Sequence, residues 1–326
     1  MAGNVSTVSI VKGDEPYEMI SKIFDYLRIE GIVGRGDRVV VKPNMVGERN
    51  LPRKGDQTST EAVEDVVRAL RERTNPDELI IAEGSGTRPD ATTFTWFAKY
   101  GVIKIARKYH ARLVDLNYDR VERVDIPDGY ILKSMWAPKT ILDAEVVISL
   151  PVLKIWNASA VSLNVKNVGA GCIPSFCYDG KLCALVARLK ARGLGFEPDT
   201  LYGQSKTLSA VMVDVYSVKR PNIGIIDSLT VMHNTTLGAP TLFRHESVQV
   251  EELGTFIAGT DAVATDAVGC AVMGFDPQKI IHLNMAAEKR LGTNDLKNIR
   301  VQGKSIEELR KKCIPPGGME AILANP

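Results

Sequence analysis

The 326-residue sequence has almost no excess charge of either sign: 41 Lys+Arg stand against 39 Asp+Glu, a formal net charge of +2. Proteins that hold nucleic acid by bulk electrostatics carry a strong basic excess, so no nucleic-acid partner is expected, and an acidic solvating tail is excluded as well. Long apolar runs are also missing. Runs such as Val146–Leu150 are far too short to span a bilayer, so no membrane partner is expected. The N-terminus, Met-Ala-Gly-Asn-Val-Ser-Thr, has no positive region followed by an apolar core, which gives the expectation of a cytoplasmic chain without a leader. Neither an internal repeat nor a low-complexity run is present. Cysteine is scarce and odd in number, 5 in all, which fits a reducing compartment better than a disulfide scaffold.

What is present is an ordinary globular composition, 44% apolar and 25% charged, so a packed core is expected and disorder is not. Short β-branched runs alternate with segments of helical period. Val5–Val11, Arg38–Val41, Leu79–Ala82 and Glu145–Leu150 read as strands, and Tyr17–Glu30, Leu182–Ala191 and Thr207–Val218 as helices. Ala62, Val63, Val66, Val67 and Leu70 recur at helical spacing behind a Thr58/Glu61 capping box, and Ser305/Glu308 forms a second box. Ala158–Val168 reads as a helix, and Thr230–Leu253 as a long loop or irregular hairpin. The alternation predicts an α/β fold, with a mainly parallel sheet and helices on both faces. A single α/β domain over residues 1–326 is expected, with an irregular small lobe around 170–205.

In open α/β sheets ligands bind beyond the carboxyl ends of the strands. Five apolar runs lead there into polar or small residues: Lys42-Pro43-Asn44, Glu83-Gly84-Ser85-Gly86-Thr87, Pro151-Val152-Leu153-Lys154, Asp227-Ser228 and Gly259-Thr260-Asp261. Lys42 and Lys154 share this setting, and their ammonium groups are expected to converge on a phosphate or carboxylate. The alternative is a pair of solvated strand-end lysines. Lys166-Asn167, ahead of Gly169-Ala170-Gly171, adds a third cation or simply ends a helix. Gly84 and Gly86 would let backbone N–H groups approach an anion, although no Lys-Ser or Lys-Thr follows to make a P-loop. Asp227, Asp261 and Asp266 offer oxygen ligands for Mg²⁺ or a general base. Asp261 also stands where a helix N-cap is expected. An inward-facing Asp266 would need a partner, for which Lys154 or Lys166 would serve. Cys172, Cys177 and Cys183 lie close in sequence and open the alternative of an iron–sulfur or thiolate site, but their spacing matches neither ferredoxin nor zinc patterns. His233 and His245 are acid–base candidates without a motif.

At these residues the chain resembles the family known as domain of unknown function 362. The resemblance runs roughly from Val5 to Val301. It rests on Val41-Lys42-Pro43-Asn44, on Ala144–Lys154 with its Pro-Val-Leu-Lys end, on Leu163-Asn164-Val165-Lys166-Asn167-Val168-Gly169, on Gly224-Ile225-Ile226-Asp227, on Ala258–Ala267 and on Met273-Gly274-Phe275-Asp276-Pro277. The family commonly has a histidine where this chain has Trp156, and many relatives carry a ferredoxin-like extension that is not expected here. The resemblance implies Lys42, Asn44, Lys154, Lys166, Asn167, Asp227, Asp261 and Asp266 as site residues without supplying a reaction.

The resulting expectation is an enzyme for a small phosphate- or carboxylate-bearing molecule. Lys154, Asp227 and Asp266 are its candidate catalytic groups. Lys42, Asn44, Lys166, Asn167, Gly84 and Gly86 are the candidate ligand contacts, and Asp227 and Asp261 the candidate Mg²⁺ ligands. A redox or cluster-carrying protein built on the three cysteines, and a non-catalytic binding or assembly module, stay open as alternatives, as does a homo-oligomer.

Overall fold

The computed structural model describes residues 5–45, 55–86, 92–156, 158–197, 200–234 and 248–313. The first half alternates strands and helices: β1 (Ser6–Lys12), α1 (Pro16–Leu27), β2 (Arg38–Pro43), α2 (Thr60–Arg73), β3 (Glu78–Glu83), α3 (Thr93–Lys99), α4 (Val102–Lys108) and β4 (Arg112–Asp115). A two-stranded hairpin follows, β5 (Val121–Asp125) with β6 (Ser134–Pro138), then α5 (Lys139–Leu142) and β7 (Val146–Leu150). Next come β8 (Val152–Trp156), β9 (Ala160–Ser162), α6 (Asn164–Gly171), α7 (Ser175–Tyr178), α8 (Leu182–Ala191) and α9 (Leu201–Val218). The long strands β10 (Ile223–Asn234) and β11 (Val248–Gly259) precede α10 (Ala262–Val272), α11 (Ile281–Glu288), β12 (Ile299–Gly303) and α12 (Ile306–Leu309).

The main sheet runs β12-β1-β11-β10-β7-β2-β3-β4, and β8 and β9 branch from β10. Every neighbouring pair on this path is parallel except the two that involve β11, which is antiparallel to both β1 and β10. The fold is therefore α/β with a mostly parallel sheet. Its strands are apolar on both faces because each face is covered, and the pleat sends alternate residues to opposite sides. Val39 and Val41 join one core with Leu79, Ile81, Val146 and Ile148, under Ile20, Ile23 and Phe24 of α1 and Val63, Val66 and Leu70 of α2. Val40, Ile80 and Val147 join the opposite core, with Val168 of α6, Val211 of α9 and Val268 of α10. Each such aliphatic side chain contributes about 1.5–3 kcal/mol by leaving water.

Two segments differ from the sequence expectation. The N-cap of α2 is Ser59, whose hydroxyl accepts from Ala62 N at 3.1 Å. Thr58 is buried one residue earlier, where its hydroxyl donates to Leu150 O at 2.6 Å and accepts from Asn44 N at 2.8 Å. Ala158–Val168 is not one helix. Ala160–Ser162 pairs antiparallel with β8, and α6 begins only at Asn164. Of the two readings of Thr230–Leu253, the described residues match the irregular hairpin: strand runs as far as Asn234, paired antiparallel with β11 from Val248, while residues 235–247 lie outside the described set. A register shift between Ser228 and Thr230 breaks the alternation there and hides the strand in the sequence. The Ser305/Glu308 box is present at α12. Among the described residues no helix is long and apolar enough to cross a membrane.

Candidate functional site

At the carboxyl end of β2, Lys42 turns inward and is fully buried. A buried ammonium is tolerated only when paired. Its Nζ reaches Glu83 Oε1, at the end of β3, at 2.9 Å, Asn167 Oδ1 of α6 at 2.9 Å and Pro43 O at 3.2 Å. Asn167 Nδ2 returns bonds to Lys42 O and Ser149 Oγ, both at 3.0 Å. Glu83 also accepts from Gly84 N at 2.7 Å and Met45 N at 3.1 Å. All three ammonium donors of Lys42 are thus used inside the protein. It organises the strand ends instead of standing open to a ligand. Two glycines allow this crowding. A Cβ at Gly171 would lie 2.2 Å from Lys42 Nζ, and one at Gly84 would lie 2.5 Å from Gly171 O. Gly84 therefore serves a close backbone approach, whereas Gly86 has open space around it. Thr87 of the same turn lies outside the described residues.

Above this buried pair opens a cavity of about 580 Å³. Lys154, Lys166 and Lys181 line it together with Asn44, Gly84, Gly86 and Asn167. Its apolar wall comes from Met45, Ile155, Trp156 and Leu182. Lys154, nearly buried on β8, donates to Asp56 O. Lys181, the residue ahead of α8, donates to Asn117 Oδ1 at 3.0 Å, Gly171 O at 3.1 Å and Ile173 O at 2.5 Å. Gly171 O is the last carbonyl of α6, where a cation is favoured by the helix dipole, and Ile173 O lies just past the helix cap. Lys166, half-buried on α6, lies over the Trp156 ring at 4.1 Å and meets Ser162 Oγ at 3.3 Å. No ion pair with a carboxylate holds it among the described residues. Burial, and then the charge of Lys154, push its amine down to about 7. Burial likewise pushes Lys181 down to about 8, with Glu83 opposing. Asn44 Oδ1 is buried with no hydrogen-bond partner among the described residues.

Residues 39–271 match the family described as Domain of unknown function (DUF362). The chain belongs to the DUF362 family. No curated protein matches it. Among solved structures, the lactate racemase apoprotein from Thermoanaerobacterium thermosaccharolyticum is similar at 10% identity and a TM-score of 0.47, over 83% of this chain and 58% of that one. A protein from Thermotoga maritima is similar at 12% identity and a TM-score of 0.43, over 85% of this chain and 60% of that one. This chain thus spans about three fifths of the length of those structures.

The DUF362 blocks fall on both sides of a divide. Those carrying Asn44, Lys154, Lys166 and Asn167 meet at the cavity, while Asp227, Asp261 and Asp266 do not line it. Each aspartate instead serves backbone N–H groups, two of them at a neighbouring helix start and Asp261 at its own. Asp227 Oδ2 accepts from Ser59 N at 2.7 Å and Oδ1 from Leu229 N at 3.2 Å, and burial raises its carboxyl above the usual range. Asp261 caps α10 through Ala264 N at 3.0 Å, and its Oδ2 accepts from Ser6 Oγ at 2.8 Å and Thr293 N at 3.1 Å. Asp266 reaches across to α6. Its Oδ1 accepts from Asn164 N at 2.9 Å and Asn164 Nδ2 at 2.8 Å, and its Oδ2 from Val165 N at 2.8 Å. Burial pushes it up to about 7. The expected lysine partner of Asp266 is therefore replaced by a helix N-terminus.

The donor sets for a metal do not assemble. Among the described residues no group of three or more His, Cys, Asp or Glu side chains is placed to hold a metal ion. The aspartates expected to take Mg²⁺ are spread over separate helix starts, and the three cysteines are divided. Cys172 is buried, with its thiol pushed up to about 11 by burial, Cys177 is half-buried, and Cys183 is exposed at the cavity. These residues fit neither a Mg²⁺ site nor an iron–sulfur cluster. His233 Nε2 is 2.8 Å from Glu251 Oε1, and His245 lies outside the described residues. Sequence reasoning passed over Lys181 and the buried role of Glu83. Nothing local marks Lys181, whereas Glu83 was visible as one more polar residue at a strand end.

Proposed function

We propose that the cavity binds a small anionic molecule bearing a phosphate or carboxylate, and that the protein is an enzyme acting on it. The observation that supports this most is the gathering of Lys154, Lys166 and Lys181 on one 580 Å³ cavity, with Lys166 held by no carboxylate among the described residues. Like charges brought together in a low-dielectric wall are unfavourable until an anion joins them, so ligand binding offsets a cost already present in the fold. Perturbed titrating groups in a concave site are characteristic of catalytic centres. Lys154 and Lys166 would neutralise the anionic group. Trp156 and Leu182 would face its apolar part, and Asn44 Oδ1 would accept a hydrogen bond from it.

The test is calorimetric titration of phosphate and of a panel of phosphorylated and carboxylated metabolites into the wild type, Lys154→Met and Lys166→Met. A charge-assisted contact is worth about 1.5–3 kcal/mol, so each substitution should weaken binding by about tenfold or more. Equal affinity in all three proteins for every ligand that binds would remove the proposal.

A further inference from the structure

We infer that Lys166 is a nucleophilic amine, which forms a Schiff base with the carbonyl carbon of an oxo acid whose carboxylate is set against Lys154. This rests on the anion-binding reading above and names the substrate class for the same cavity. The geometry sets Lys166 apart from the other lysines there. Lys42 has three acceptors within 3.2 Å, including a carboxylate. Lys181 is anchored by Asn117 Oδ1 and by the backbone carbonyls of Gly171 and Ile173. Among the described residues Lys166 has only a serine hydroxyl at 3.3 Å and an aromatic face. Its nitrogen lines the cavity unanchored, so it can move onto a ligand without breaking an ion pair.

The surroundings favour the unprotonated amine that such chemistry needs. Burial acts first, then the positive charges of Lys154 and Lys42; Cys183 and Glu83 oppose them, and the amine comes down to about 7. His282 of α11 is pushed down to about 3 by burial and then by the charge of Lys166, so it stays neutral and offers no counter-charge. A lysine desolvated beside a second cation is the usual arrangement for an amine nucleophile. In the step itself, the nitrogen lone pair adds to the carbonyl carbon. The carbonyl oxygen then leaves as water with the two amine hydrogens, giving C=N with no oxidant or reductant consumed. A proton from Lys154 or solvent converts the product to the cationic imine. The carboxylate selects for oxo acids over simple aldehydes, because it needs the charge of Lys154.

The experiment treats the full chain with glyoxylate or pyruvate and cyanoborohydride near pH 7, with acetaldehyde as the uncharged control, and maps modified lysines by peptide mass spectrometry. An exposed lysine is almost wholly protonated at that pH, so Lys166 should react on the order of tenfold or more faster than the other lysines. Its rate should level off above about pH 7, while theirs continue to climb. Lys154→Met should move that midpoint upward and abolish the preference for the acids over acetaldehyde. Malonate should protect. Labelling of Lys166 no faster than that of exposed lysines would overturn the inference, and this is read on the wild type without reliance on a variant's folding. If anions bind but Lys166 is not preferred, the inference fails alone. If Lys166 is preferred but no anion protects it, the anion-binding reading fails and takes the oxo-acid assignment with it, leaving only a reactive amine.

Discussion

The strand-end lysines and the aspartates of the second half look alike in the sequence but behave in opposite ways in the fold. Asp227, Asp261 and Asp266 are each consumed by backbone N–H groups at the starts of α2, α10 and α6. The lysines have no such reservoir. Lys42 pairs with Glu83, Lys181 takes the carbonyl that ends α6, and Lys166 is left against a tryptophan face. The difference follows from architecture. In a parallel α/β sheet the chain passes from strand ends into helix starts, so unpaired N–H groups gather where the strands end. Acids placed near those starts find a partner built from the backbone, and cations there must find a side chain, a helix end or a ligand.

That contrast can be broken by mutation. Lys42→Met should have the largest effect. It strands Glu83 as a buried charge and should cost about 3–5 kcal/mol in denaturant unfolding, with most of the loss recovered in Lys42→Met/Glu83→Leu. If the double variant is no better than the single one, the pair is not what makes Lys42 necessary. Asp266→Ala comes next. It leaves the N–H groups of Asn164 and Val165 buried without acceptors, for a cost of about 2–4 kcal/mol by the same measurement. Ser59→Ala should cost about 1 kcal/mol as a lost N-cap, whereas Glu61→Ala should change stability by under about 0.5 kcal/mol. A larger loss from Glu61→Ala would reinstate the capping box placed at Thr58.

Lys166→Met should go the other way, leaving the protein as stable as the wild type or more so at neutral pH. The folded amine titrates near 7 and the unfolded one near 10.5, so the unfolded chain binds more protons between those values. Wild-type stability should therefore rise with pH across that window because of this group, with the penalty complete below about 7. The rise should flatten in Lys166→Met, which urea titrations at pH 7 and pH 9 would detect.

Much of the architecture is legible in the sequence because Val39, Val40 and Val41, or Leu79, Ile80 and Ile81, send consecutive apolar residues to opposite cores, which only a doubly covered strand requires. The strand ends at Asn44 and Lys154 lead to the cavity, where Lys166 and Asn167 of α6 join them. What stayed hidden depends on long-range approach. Asp266 meets the start of α6 across 102 residues, and no local pattern says that a helix end will arrive there. Ser59 and Thr58 are adjacent and equally good caps, and the choice falls to Ser59 because Leu150 O and Asn44 N claim the threonine. Lys181 is visible only once Gly84 and Gly171 have brought two backbones together around its ammonium.

The bond from Lys181 back to Gly171 O and Ile173 O closes the intervening peptide into a small ring. Two cysteines, Cys172 and Cys177, sit inside that ring as free thiols. A disulfide across such a loop would make a clasp that answers to the redox state of its surroundings. Here the clasp is an ammonium, so its grip answers to acidity instead. It is indifferent to thiol reductants and loosens as the pH climbs past about 8, along the wall that the cavity shares with α8.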